Sequence, residues 1–99
     1  MSLEVFQNSE IICFDENGQN LTSRALANTI EAQKMDGNVK HLVFVIGGPY
    51  GILPELKKEA RRIIKLSDFV LTSDIAFLIA IEQIYRAFNI LSNTGYHHD

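Results

Sequence analysis

The residues whose types and spacing could do chemistry gather first in Gly47-Gly48-Pro49-Tyr50-Gly51, which follows the apolar run Val43-Phe44-Val45-Ile46. Uninterrupted β-branched and aromatic residues read as a strand buried on both faces, as in parallel sheets. Glycines at its end let the backbone take positive φ and let another molecule approach the main chain. A strand ending in such a loop, with a helix after it, is where α/β proteins place a ligand. The loop is not a Walker A cradle, because Ile52 and Leu53 stand where Lys and Ser or Thr are needed. Nor does it have the spacing of the dinucleotide fingerprint. It reads equally as a ligand loop and as a tight turn into a helix started near Pro54.

Two other groups could act. Lys57, Lys58, Arg61, Arg62 and Lys65 recur at i, i+4 and i+8 along one predicted helix. Such a stripe is either a solvated face, with Glu55 and Glu59 as neighbours, or a patch that contacts phosphate. Cys13, the single cysteine, sits within Ile11-Ile12-Cys13-Phe14 and reads as a small buried hydrophobe in a reducing compartment. Cys13 and His41 do not make zinc-site spacings, so no metal is expected.

The elements that must hold these groups alternate. Residues 10–14 read as a strand, and 15–19 as a turn around Asn17-Gly18. Thr22 or Ser23 can cap a helix whose apolar stripe is Leu26, Ala27, Ile30 and Ala32. Gly37 suits the left-handed position at its end. A second strand spans 41–46, the basic helix 54–64 and a third strand 67–71. A long helix capped by Ser73 or Asp74 then runs to Leu91. The order β-α-β-α-β-α implies an α/β fold with a parallel sheet and right-handed crossovers.

The last helix is apolar on every face through Ile75-Ala76-Phe77-Leu78-Ile79-Ala80-Ile81. One side can pack on the sheet, and a symmetric homodimer through residues 75–91 would cover the other. Glu82, Gln83 and Arg86 interrupt the run, and no stretch reaches the roughly 18 consecutive apolar residues of a membrane span. No membrane association is expected. Residues 1–5 show neither a basic nor an apolar leader region, so a cytoplasmic location is expected. Ninety-nine residues make one small domain, and a net charge of −3 argues against wholesale electrostatic wrapping of nucleic acid.

From about residue 10 onward the chain resembles the ribosomal large subunit methyltransferase H family of the SPOUT class. The resemblance rests on Gly18 with Thr22-Ser23 and Leu26-Ala27, on Phe44 through Gly51, and on Lys65-Leu66-Ser67. It continues through Glu82-Gln83-Ile84-Tyr85-Arg86-Ala87 to the terminal Tyr96-His97. The order and separation of these pieces are more specific than any one of them. The resemblance implies an S-adenosylmethionine-binding domain over residues 10–99 with a deep C-terminal trefoil knot, acting as a homodimer. Residues 1–9 are then an N-terminal extension, native or added by cloning, and the fold is shortened at its N-terminus relative to the family. By position, Phe14 begins the first cofactor loop. Gly47 and Gly48 lie in the second, and Ser67, Asp68, Phe69, Val70, Leu71 and Thr72 form the third. The implied reaction is methyl transfer to a pseudouridine of 23S rRNA in the assembled ribosome.

Because the sulfonium already carries an activated methyl group, such an enzyme mainly aligns it with a ring nitrogen. A base or acceptor would handle the imide proton, and Tyr96, His97 and His98 are the candidates. Several positions depart from the family pattern. Tyr50 stands in place of its Glu, Thr72-Ser73 in place of Pro-His, Phe77 in place of an Arg, and His98 in place of Arg or Lys. Two functions are therefore expected: an rRNA methyltransferase, or a shortened, non-catalytic knotted dimer that binds a ligand or protein partner.

Overall fold

A computed structural model describes residues 8–48 and 50–92. Six elements follow in order: β1 (Ser9–Asn20), α1 (Ser23–Lys34), β2 (His41–Ile46), α2 (Pro54–Glu59), β3 (Ala60–Lys65) and α3 (Ser73–Ser92). The three strands form one parallel sheet in the order β2-β1-β3. The expected α/β class and its alternation therefore hold.

Side chains alternate across the sheet, as a pleated strand requires. Ile12, Phe14 and Ile64 face α1 and α3, meeting Leu26, Ala27, Ile30, Ala80 and Ala87 in the larger core cluster. Ile11 and Cys13 face the opposite way, with Ile52, Val43, Val45, Leu56 and Ile63. The β1–β2 crossover thus passes over one face and the β2–β3 crossover over the other. Since β2 and β3 lie on opposite sides of β1, both crossovers share one hand, in line with the rule for parallel units.

The expected helix over 54–64 is corrected. It stops at Glu59, Ala60 is extended at φ −71° and ψ 132°, and residues 60–65 enter the sheet. Helix-favouring residues lose here to tertiary pairing, because the β-branched Ile63 and Ile64 align with Cys13 and Phe14 and fill both faces. The third strand is accordingly β3, and residues 66–72 are a loop. Here Ser67 Oγ accepts the Phe69 N–H at 2.9 Å and turns the chain.

The basic stripe is dispersed with that helix. Lys57 pairs with Asp15 at 3.3 Å and Lys65 with Asp68 at 2.6 Å. A register shift between Ile11 and Ile12 leaves Arg61 without a partner in the ladder.

Smaller differences have local causes. Residues 15–18 are an excursion within β1, since Ile64 pairs with both Phe14 and Gln19. Gly18 passes the β3 backbone so closely that a Cβ there would lie 2.5 Å from the Ile63 carbonyl oxygen. Thr22 caps α1, its Oγ1 accepting the Ala25 N–H at 3.0 Å. Gln33 rather than Ala32 completes the buried stripe. The C-cap is Met35, and among the described glycines only Gly51 has positive φ, so Gly37 is not left-handed. Thr72 rather than Ser73 or Asp74 caps α3, its carbonyl accepting the Ala76 N–H at 2.9 Å.

In α3 the alanines Ala80 and Ala87 face inward with Ile84, Ile90 and Leu91 packed beside them, while other large apolar residues face outward. Ala80 and Ala87 are fully buried, whereas Phe77, Leu78, Ile81, Tyr85 and Phe88 are exposed. Inward alanines let the helix lie close against its neighbours, and the Ser23 hydroxyl donates to Gln83 Oε1 to tie α1 to α3. By length and composition α3 could also cross a membrane, although it carries Asp74, Glu82 and Arg86.

Candidate functional site

The chain leaves β1 toward one face of the sheet and β2 toward the other, so a crevice opens beyond their C-terminal ends. A cleft of about 210 Å³ lies there. Three segments build it: Phe14, Asp15 and Glu16 at the excursion within β1, Gly47, Gly48 and Gly51 after β2, and Lys65, Leu66, Ser67, Phe69 and Leu71 from the last residue of β3 onward. Ser73 and Ala76, from the first turn of α3, close the circuit.

Each wall has a local reason. Phe14 is buried and stacks on Phe44 with ring centroids 6.2 Å apart, so the floor is fixed from within the core. The glycine loop closes on itself, the Gly51 N–H donating to the Gly48 carbonyl at 3.0 Å. Gly51 needs its freedom, with φ +82°. A Cβ at Gly47 would press on Gly51 and on Ile52 Cγ1 at 3.0 Å, whereas a Cβ at Gly48 would meet open space. Gly47 is therefore required by the loop itself, and Gly48 leaves bare backbone at the cleft.

The electrostatics are paired. Lys65 holds Asp68, and the Asn20 amide donates to the same carboxylate at 3.5 Å. The hydrogen bond from Lys65 holds the Asp68 carboxyl below the ordinary aspartate range, with Asn20 adding to it. Burial pushes the Cys13 thiol up and Asp15 adds to the effect, which disfavours the thiolate and fits a buried packing role. Among the described residues, no three His, Cys, Asp or Glu side chains converge as metal ligands would.

Six of the nine residues expected to hold a cofactor line the cleft: Phe14, Gly47, Gly48, Ser67, Phe69 and Leu71. Asp68, Val70 and Thr72 do not. Asp68 turns to Lys65, Val70 is solvent-exposed, and Thr72 is spent on capping α3. Tyr96, His97 and His98 lie outside the described residues. The sequence reading missed Asp15, Glu16, Lys65, Leu66, Ser73 and Ala76. Asp15 and Glu16 could have been found, since they directly follow the strand read over residues 10–14, and such positions stand at the ligand crevice.

A cleft lined by backbone-exposing glycines and by both polar and apolar side chains, beside a parallel sheet of this order, can hold a partly polar small molecule. The chain belongs to the family described as predicted SPOUT methyltransferase, whose model matches residues 2–97. Among curated proteins it is similar to the ribosomal RNA large subunit methyltransferase H of several bacteria. That of Christiangramia forsetii is 42% identical over 93 residues, covering 93% of this chain and 59% of the relative. That of Phocaeicola vulgatus is 43% identical over 89 residues, covering 90% and 56%. The Thermotoga neapolitana protein is 37% identical over 94 residues, covering 95% and 61%. The chain thus spans 56–61% of the length of these relatives.

Proposed function

We propose that the protein is an S-adenosylmethionine-dependent methyltransferase that modifies a pseudouridine of 23S rRNA in the ribosome, in the cytoplasm, as a homodimer carrying the trefoil knot of its class. The observation that carries this reading is the assembly of Phe14, Gly47, Gly48, Ser67, Phe69 and Leu71, from three loops far apart in sequence, around one cleft.

The cleft would hold the cofactor between polar and apolar walls, with the Gly48 backbone against it and Phe14 as floor. When bound, the cofactor supplies an activated methyl group. This chain's residues orient it and exclude water. The departures from the family pattern do not strip the cleft. Tyr50 is fully exposed to solvent and is not among its lining residues. Phe77 lies on the outer face of α3, and Ser73 keeps a hydroxyl at the cleft.

The outward apolar face of α3 supports the dimer, since Leu78, Ile81, Tyr85 and Phe88 fall at the 3- and 4-residue spacing of a helix-packing seam. Tyr96, His97 and His98 are the proposed groups for the imide proton.

Transfer of a labelled methyl group from S-adenosylmethionine to ribosomes that lack the modification tests this reading, with label expected at a 23S pseudouridine. Cofactor binding without any transfer would instead favour a non-catalytic knotted dimer that binds a ligand or protein partner.

A further inference from the structure

Of the carboxylates around the cleft, Glu16 and Asp68 are exposed, whereas only 10% of the Asp15 side chain is open to solvent. Asp15 stands one residue past Phe14, the point at which β1 pairs with Ile46 on one side and Ile64 on the other. Its position is fixed twice. Oδ2 accepts the Asn17 N–H at 3.1 Å and lies 3.3 Å from the Lys57 ammonium, which reaches over from α2. Both of these contacts are to Oδ2, and among the described residues none donates a hydrogen bond to Oδ1.

What that oxygen suits follows from the pairing. A carboxylate with an ammonium beside it projects little net charge, so it has no particular attraction for a cationic group. It keeps its acceptor lone pairs, held in a fixed direction. A fixed, charge-balanced acceptor just past the point where the central strand leaves its ladder with β2 suits neutral hydroxyl donors, and dinucleotide-binding sheets hold ribose with an acidic side chain in a similar way.

We propose that Asp15 reads the ribose hydroxyls of a nucleoside bound in the cleft, an assignment that rests on the nucleoside-cofactor reading above. Lys57 then has a positioning role. It belongs to the helix that follows the glycine loop, so the ion pair ties the second cofactor loop to the first.

The test is calorimetric titration with S-adenosylhomocysteine, with 5′-methylthioadenosine, which lacks the amino and carboxyl groups, and with the 2′,3′-dideoxy form of the latter. Asp15→Ala is expected to weaken the first two by the same factor, tenfold or more. The dideoxy compound is expected to bind the unaltered protein at least tenfold more weakly than its parent and to lose little more on the variant. Weakening of S-adenosylhomocysteine alone would assign Asp15 to the ammonium group and overturn the proposal. Unchanged affinity for both would overturn it as well. If Asp15→Ala does not fold, the unaltered protein decides alone, because equal affinity for the parent and dideoxy compounds contradicts the proposal. Failure of the cofactor reading looks different: no adenosine ligand binds the unaltered protein, and both conclusions fall together.

Discussion

The Lys57 ammonium lies 3.3 Å from the Asp15 carboxylate and thereby ties α2 to the excursion in the central strand. The two residues are 42 positions apart, and Asp15 lines the cleft while Lys57 holds it from α2, so the pair links the first loop to the helix that follows the second. Lys57 is 31% exposed, which limits what the pair adds to stability to at most about 1 kcal/mol. Lys57→Met is expected to change the denaturation midpoint little and to weaken cofactor binding several-fold. A large loss of stability with unchanged affinity would contradict a positioning role.

Two glycines separate the needs of the fold from those of the ligand. A Cβ at Gly18 would collide with the Ile63 carbonyl, and backbone cannot easily move there. Gly18→Ala should cost about 2–3 kcal/mol in denaturant unfolding. A Cβ at Gly48 meets nothing within 4 Å and its φ is not positive. Gly48→Val should therefore leave stability nearly unchanged while filling the cleft and lowering cofactor affinity by tenfold or more, as calorimetry would show.

The outward face of α3 makes the dimer testable without disturbing the core. Leu78→Asp combined with Ile81→Asp places two charges on that face and should convert dimer to monomer in sedimentation velocity. Ile79 is unsuitable for this purpose, because it is half-buried and lines a second cavity behind Phe14. A dimer that survives the double substitution would place the interface elsewhere.

The Asp68 pair fixes the sign of one pH effect. Its carboxyl is held below the ordinary value of 3.8 by the hydrogen bond from Lys65. A group whose folded pKa is depressed contributes stability above its unfolded pKa, and that contribution is lost as the pH falls through the folded value. The stability difference between the unaltered protein and Asp68→Asn should thus be constant above about pH 5 and shrink as the pH falls below the ordinary aspartate value near 4. Denaturant titrations at several pH values would measure it. A difference that grows toward acid would contradict the pairing.

Much of the scaffold was legible because local chemistry and tertiary demand agreed. The β-branched run of β2, the Thr22 cap of α1 and the apolar length of α3 all specify one state. The boundary between α2 and β3 was not legible, because Glu55 through Arg62 favour a helix while Ile63 and Ile64 are needed on both faces of the sheet. Only the pairing with β1, fifty residues away, decides between them. The cleft was legible in part. The glycine loop announced itself, but the convergence of Phe14 with Ser67, Phe69 and Leu71 came from the family resemblance and not from periodicity. Asp15 was hidden in an apparent turn, since its partner Lys57 lay on what read as a continuous basic helix.

The most direct test of the cofactor cleft is calorimetric titration of the purified protein with S-adenosylmethionine. Binding in the micromolar range, about −8 kcal/mol, is expected, and Gly48→Val should abolish it without unfolding the protein. A folded protein that takes up no S-adenosylmethionine would contradict the account.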